Sequence, residues 1–102
     1  MITWPEKDPA EQFAVGFHFA GELLTGETIA TATVQVVVLR GTDASPAALL
    51  SGPAEFQTDR VLQTIAGGLS GVVYGLRCVA QTSAGRTLVR AARLPVMSAE
   101  RW

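Results

Sequence analysis

The sequence has a single cysteine, Cys78, and a single histidine, His18. One cysteine excludes a disulfide within the chain, and one histidine beside it cannot supply the ligand sets that hold zinc or iron–sulfur clusters. No serine lies in the nucleophile-elbow pattern that would make His18 part of a hydrolytic triad. We therefore expect no catalytic residues, no metal ligands and no cofactor.

Basic residues are also few, and they do not cluster with aromatic residues as they do in nucleic-acid-binding surfaces. No apolar run approaches the ~20 residues that span a bilayer. The N-terminus lacks the basic start and apolar stretch of a secretory signal. We expect neither nucleic acid nor membrane among the partners, and synthesis and folding in the cytosol.

Charge is unevenly distributed along the 102 residues, a length that fits one compact domain. Residues 1–51 hold six acidic and two basic residues, whereas residues 52–102 hold three acidic and six basic ones. Opposite poles would steer copies of the chain together head to tail, or onto a charged partner. A fold that interleaves the two halves would remove such poles, and the sequence leaves both alternatives open.

Residues 69–96 are predicted to form the β-hairpin around which the chain is organised. Apolar and polar residues alternate from Val72 to Gln81, and Gly85 closes a short polar turn. In the second arm Arg90 and Arg93 have opposite parity, which predicts a bulge near residues 91 and 92, and Pro95 predicts a sheet edge. Tyr74 matches the tyrosine whose hydroxyl bonds nearby backbone in immunoglobulin-like sandwiches, although an ordinary core aromatic is the alternative.

The rest of the chain predicts further short strands. Phe13, Val15, Phe17 and Phe19 share one side of a strand that leaves His18 on the other, and residues 28–39 alternate most cleanly. Residues 40–52 are left undecided between a strand and a helical turn, and residues 56–65 read as one strand. The fold class is an all-β, antiparallel immunoglobulin-like sandwich of about seven strands. We expect an extended Pro-rich arm over residues 1–11, the sandwich over 12–97 and a tail over 98–102.

The candidate interface residues are the arginines of the hairpin and the tryptophans near the two ends of the chain: Trp4, Arg77, Arg86, Arg90, Arg93 and Trp102. Arginine suits pairing with carboxylates of a neighbouring subunit, but the same residues would also keep a sheet face soluble. Pro5 and Pro9 exclude regular helix or central strand, so we expect an extended arm that lies on the domain or reaches beyond it. We expect removal of residues 1–9 to leave a folded monomer that no longer assembles. Cys78, on the apolar side of its strand, is expected to be buried and inert.

Two further motifs have simpler explanations than ligand binding. Residues 67–71, Gly-Gly-Leu-Ser-Gly, lack the following helix that a phosphate loop requires, so turn formation explains them. The acidic residues Glu6, Asp8 and Glu11 have no calcium-loop spacing and read as a solvated arm.

Across nearly its whole length the chain resembles a family of small proteins of tailed bacteriophages and prophages, described as fibre-tail adaptors or small neck and tail components with an immunoglobulin-like fold. The resemblance rests on residues 4–11, on the aromatic strand leading into residues 26–29, on residues 67–71 with Tyr74, and on residues 82–87. Ala91, Ala92 and Trp102 depart from the usual pattern.

This resemblance implies a non-enzymatic virion component that contacts other neck, tail or fibre proteins and forms a homo-oligomeric ring. It carries no active-site residues to transfer. We expect an adaptor or completion protein at the neck or tail, including a head-tail connector. The alternatives are a capsid-surface decoration protein and a carbohydrate-binding or adhesive immunoglobulin-like module.

Overall fold

The computed structural model describes residues 1–98, and these form two packed β-sheets. The strands are β1 (Ile2–Thr3), β2 (Gln12–His18), β3 (Ile29–Arg40), β4 (Glu55–Phe56), β5 (Arg60–Ala66), β6 (Val73–Thr82) and β7 (Thr87–Pro95), with one 3-10 helix at Pro46–Leu49. One sheet has the order β1-β7-β6-β3 and the other the order β2-β5-β4. Seven strands in two layers confirm the predicted all-β sandwich.

The hairpin of β6 and β7 is confirmed, but the bulge predicted near Ala91 and Ala92 is wrong. The two strands pair without interruption from Val73 opposite Pro95 to Gln81 opposite Thr87. Arg90 keeps its inward parity, because its guanidinium lies 5.4 Å from the ring centroid of Phe19 and 2.7 Å from a Glu22 carboxylate oxygen. Because these contacts stabilise the guanidinium of an inward arginine, no change of register is needed to bring Arg90 to the surface.

Tyr74 is fully buried and ties two loops to β6. Its hydroxyl accepts a hydrogen bond from the Leu69 N–H at 2.9 Å and donates one to Asp43 at 2.6 Å. The predicted bond to nearby backbone is therefore confirmed. The Tyr74 hydrogen bond, followed by one from the Ser45 N–H, lowers the pKa of Asp43. Through Asp43, Tyr74 fixes the loop after β3 to β6.

The region predicted as one strand over residues 56–65 is two. The Gln57 N–H donates to the Arg60 carbonyl at 2.8 Å, and this turn separates β4 from β5. Val61 and Ile65 then face the core while Leu62 is half-buried. The apolar residues on both sides of the turn hide it from a periodicity argument.

Strand β3 is a long edge strand whose inward residues are only half-buried. Its register with β6 is regular from Thr31 to Val38 and shifts at both ends. Because of the first shift, Ala30 is exposed while Ala32 and Val34 are half-buried, so the alternation predicted over residues 28–39 does not hold at Ala30.

The N-terminal arm lies on the domain and contributes to its interior. Strand β1 runs parallel to β7, so Pro95 does not end at an open edge as predicted: the Lys7 N–H donates to the Pro95 carbonyl at 2.9 Å. Lys7 has a relative exposure of 0% and its Nζ donates to the Gly67 carbonyl at 2.7 Å. Burial lowers the pKa of Lys7. The ring centroids of Trp4 and Phe17 lie 5.4 Å apart. The expectation that the fold survives loss of residues 1–9 is therefore revised.

Cys78 is buried in β6, as expected, and burial raises the pKa of its thiol to about 11. Because the thiolate is the reactive species, we expect the folded protein to resist alkylation at neutral pH. Iodoacetamide labelling followed by mass spectrometry checks this, with the denatured chain as the positive control. Complete labelling of the folded chain within minutes would contradict the buried placement.

Candidate interaction surface

An exposed apolar area lies on the outer face of the four-stranded sheet, which turns away from the three-stranded sheet. On this face a shallow depression of about 170 Å³ is lined by Met1, Gln35, Val37, Leu39, Gly75, Leu76, Arg77 and Ala91. Val37 and Leu39 have relative exposures of 55% and 45%. A patch of this kind on a monomer is typical of an interaction site.

Gly75 lines the depression, and the Leu39 side chain packs over it. A Cβ placed there would lie 3.0 Å from Cγ of Leu39, so even alanine would push the leucine aside. Gly75 lies between Val37 on β3 and Arg93 on β7 in the strand register. The floor of the depression is therefore backbone, bordered by aliphatic side chains on one flank and by a cation on the other.

Two arginines of the predicted interface meet on this face. Arg77 lies opposite Ala91, and Arg93 lies opposite Gly75, so their positions are in adjacent rows of the sheet. Arg77 is exposed and Arg93 half-exposed. Within residues 1–98 neither has a carboxylate within 4.0 Å, unlike Arg86 and Arg90. The face thus presents two arginines, without a carboxylate partner in residues 1–98, beside exposed apolar side chains. Arginine and apolar residues are enriched in protein interfaces.

Arg86 is not available in the same way, because it is the partner of a buried carboxylate. Its Nε donates to Glu27 at 2.9 Å, and its terminal nitrogen donates to the Glu22 carbonyl at 2.8 Å. Glu27 also accepts from the Leu24 N–H and the Thr82 hydroxyl. The hydrogen bond from Arg86, followed by those from Leu24 and Thr82, lowers the pKa of Glu27 to about 2. Arg86 therefore fixes the loop before β3 to the end of the hairpin.

This network predicts a specific acid sensitivity. A carboxyl whose pKa falls from 4.5 in the unfolded chain to about 2 in the fold contributes stability above pH 4.5, and that contribution disappears as the pH falls toward 2. Glu27→Gln should therefore melt below the unchanged protein at pH 7, with the difference shrinking over this window. Thermal melts followed by circular dichroism from pH 7 to pH 2 measure it. Glu55→Gln, at an exposed position, is the matched control and should show no such convergence.

The remaining candidates are placed elsewhere. Arg90 points inward, onto Phe19 and Glu22. Trp4 borders a cleft of about 300 Å³ at the side of the sandwich, together with Pro5, Glu6, Glu11, Phe13, Val15 and Leu94. Trp102 lies outside the described residues. His18 is exposed at the end of β2, as expected.

The aliphatic part of the outer face was missed by the sequence reasoning. Its signal is the run from Val36 to Leu39, which is apolar on both sides of a strand whose earlier part alternates. An apolar residue at an outward position of an edge strand indicates a contact surface, and Val37 and Leu39 are such residues.

Other site types find no support in the part of the chain that the structure describes. No group of three or more histidine, cysteine, aspartate or glutamate side chains among residues 1–98 is arranged to hold a metal ion. No helix in that range is long and apolar enough to cross a membrane.

The fold places the chain in the class of small two-sheet β-sandwiches, with a cationic and apolar outer face on the four-stranded sheet. Comparison with family models makes the assignment specific: residues 7–95 match the family described as podophage GP4 fiber-tail adaptor protein gp77. The chain belongs to this phage fibre-tail adaptor family, and it is a structural component of the tail. No curated protein matches the chain.

Proposed function

We propose that this chain joins other tail proteins non-enzymatically, by docking the outer face of its four-stranded sheet onto them. The observation that carries the proposal is the pair Arg77 and Arg93, uncompensated in residues 1–98 and set beside exposed Val37 and Leu39. Membership of the adaptor family supplies the context, since an adaptor must contact at least two other components.

The chemistry of this face describes the partner surface that it fits. Guanidinium groups bind carboxylates in a fork of two parallel hydrogen bonds, and such pairs are strong when the surrounding surface is apolar and excludes water. The matching surface therefore carries aspartate or glutamate side chains beside aliphatic or aromatic ones. A tail or fibre protein with such a patch is the proposed partner.

Several copies of the chain would act together, arranged as a homo-oligomeric ring at the neck or tail of the virion. A ring repeats the same weak contact around the tail, so that avidity replaces the affinity of any single copy. The position as adaptor, completion protein or head-tail connector is part of this proposal, as is synthesis in the host cytoplasm before assembly.

A binding experiment tests the docking proposal. Particles assembled without this chain, made by deleting its gene, would be mixed with the purified chain and sedimented. We expect saturable binding that weakens as salt rises from 50 to 500 mM, because the contact depends on Arg77 and Arg93. Failure of the chain to sediment with these particles at low salt would contradict the proposal.

A second candidate function is supported by the cleft beside Trp4. Its wall combines the aromatic rings of Trp4 and Phe13 with the carboxylates of Glu6 and Glu11, and Phe13 is exposed. Aromatic faces beside hydrogen-bonding groups suit a sugar ring, as the adhesive alternative requires. A glycan array tests it: binding lost in Phe13→Ala supports the candidate, and absence of any glycan bound removes it.

A further inference from the structure

The free edge of β3 is unusually open to strand pairing. From Thr31 to Val38 the strand pairs only with β6, and its register over this stretch has no bulge. The eight residues Thr-Ala-Thr-Val-Gln-Val-Val-Val contain no charged residue and no proline. No backbone hydrogen bond between this stretch and a loop of residues 1–98 covers the edge.

Folded proteins rarely leave such an edge unprotected. Edge strands are normally short, charged, bulged or interrupted by proline, because a flat apolar edge recruits other chains. Here β1 pairs with Ala92 and Arg93 at the opposite edge of the same sheet, and the bulges of β3 lie only at its two ends. The bulges therefore limit the stretch that can pair with another strand to a length of about 27 Å at the usual rise per residue.

The direction of each backbone group follows from the hydrogen bonds of the sheet. The Val96 N–H donates to the Val72 carbonyl and the Thr82 N–H donates to the Arg86 carbonyl, so even-numbered residues of β6 bond to β7. Odd-numbered residues of β6 then bond to β3, and the register sets these against odd-numbered residues of β3. The N–H and C=O groups left at the free edge are those of Ala32, Val34, Val36 and Val38.

We propose that this edge pairs with the same edge of a second copy, antiparallel, about a two-fold axis at Gln35. This register places Ala32 opposite Val38 of the second copy and Val34 opposite Val36 of the second copy. It uses every free group in about eight backbone hydrogen bonds, whereas a shift of the axis to Val34 or Val36 would leave some groups unpaired. Inward residues meet inward residues, as a continuous sheet requires.

The side chains of the edge favour a second copy over a charged segment of another protein. The uncharged, β-branched residues provide no charge for an acidic or basic strand to meet, while they form favourable cross-strand pairs with themselves. In this register Arg40 lies opposite Ala30 of the second copy, so the nearest cations of the two edges do not oppose one another. Pairing also joins the two outer faces into one surface bearing both copies of Arg77 and Arg93. The inference rests on the proposed presence of several copies, and because a two-fold contact closes on itself, it accounts for a pair of chains and leaves the contacts around the ring to other surfaces.

A charge-swap experiment at Gln35 tests the two-fold arrangement, because the axis sets this residue against itself. The mass of the purified full chain in solution would be measured by sedimentation equilibrium from 10 µM to 1 mM. We expect a dimer of twice 10.8 kDa to form over this range. Gln35→Lys and Gln35→Glu should each weaken it at least about tenfold, and an equal mixture of the two should restore it. Thr87→Lys, at an exposed outward position on β7 and away from the free edge of β3, is the control and should dimerise normally.

A second variant keeps the result interpretable if a charge at position 35 disturbs β3. The Val36 N–H faces the free edge, so Val36→Pro removes no internal ladder bond and blocks pairing alone. A folded, monomeric Val36→Pro protein supports the proposal. It is overturned by a wild-type chain that stays monomeric at 1 mM, or by an oligomer that withstands both Gln35 variants and Val36→Pro. If either of these results is found and the chain still sediments with tail particles, the edge contact is disproved and the docking proposal stands.

Discussion

Replacing Arg77 and Arg93 together by glutamate is expected to abolish binding of the chain to tail particles while the fold is retained. Both side chains lie on the outer face without a carboxylate partner in residues 1–98, so their loss leaves no buried acid uncompensated. Reversal of charge would set glutamates against the acidic partner surface. We expect at least about a 100-fold loss of affinity, or about 3 kcal/mol, since central arginines are frequent interface hot spots.

The measurement is cosedimentation with particles assembled without the chain, with thermal melts to confirm folding. Arg60→Glu is the matched control, because Arg60 is an exposed arginine on the other sheet and, within residues 1–98, its ion pair is with its neighbour Asp59 alone. It should bind within about twofold of wild type. Equal losses of affinity for Arg60→Glu and for the double replacement of Arg77 and Arg93 would indicate a general charge effect. Such a result would count against a defined docking face.

The second large effect is expected from removal of residues 1–9, which should prevent the chain from holding its fold at 37 °C. The deletion removes the half-buried Trp4 ring and the buried hydrogen bonds of Lys7. Together these are worth at most about 5 kcal/mol, from about 2 kcal/mol for the aromatic burial and up to about 3 kcal/mol for the hydrogen bonds of a charged group, less the cost of burying that charge. That approaches the whole stability of a small domain.

Urea unfolding followed by far-UV circular dichroism, a signal that does not depend on Trp4, measures the loss of unfolding free energy. Lys7→Met isolates the lysine and should lose about 2 kcal/mol, because the Gly67 carbonyl loses its partner. Removal of residues 1–3 alone, which keeps Trp4 and Lys7, should cost less than either. A chain without residues 1–9 that unfolds at the wild-type urea concentration would show that the arm is a peripheral segment after all.

What the sequence predicts well is what local alternation decides. The strand with Val15, Phe17 and Phe19, the hairpin at Gly85 and the buried Cys78 all follow from residues that are near one another in the chain. The role of Tyr74 was also predictable, because its bond partner Leu69 is only five residues away.

What failed depends on partners far away in the sequence. Arg90 stays inward because of Phe19 and Glu22, and no periodicity within β7 contains that information. Arg86 is separated by 59 residues from Glu27, so its pairing with this buried acid is invisible in a count of surface arginines. Lys7 was placed in a solvated arm on composition alone, yet the Gly67 carbonyl, 60 residues on, holds it in the interior.

The candidate surface was likewise predictable from the sequence in part. The sequence presents four arginines as one charged feature, and the fold separates them by partner: Arg86 pairs with buried Glu27 and Arg90 with exposed Glu22, while Arg77 and Arg93 have no carboxylate partner within residues 1–98. The depression over Gly75 depends on three neighbouring strands and had no signal in any one of them.

A reconstruction of the assembled tail at side-chain resolution is the most direct test of the docking account. It should show Arg77 and Arg93 covered, each within hydrogen-bond distance of an acidic side chain from another tail protein, with Val37 and Leu39 against its apolar residues. An outer face left open to solvent in every copy, with the chain held by some other surface, would contradict the account.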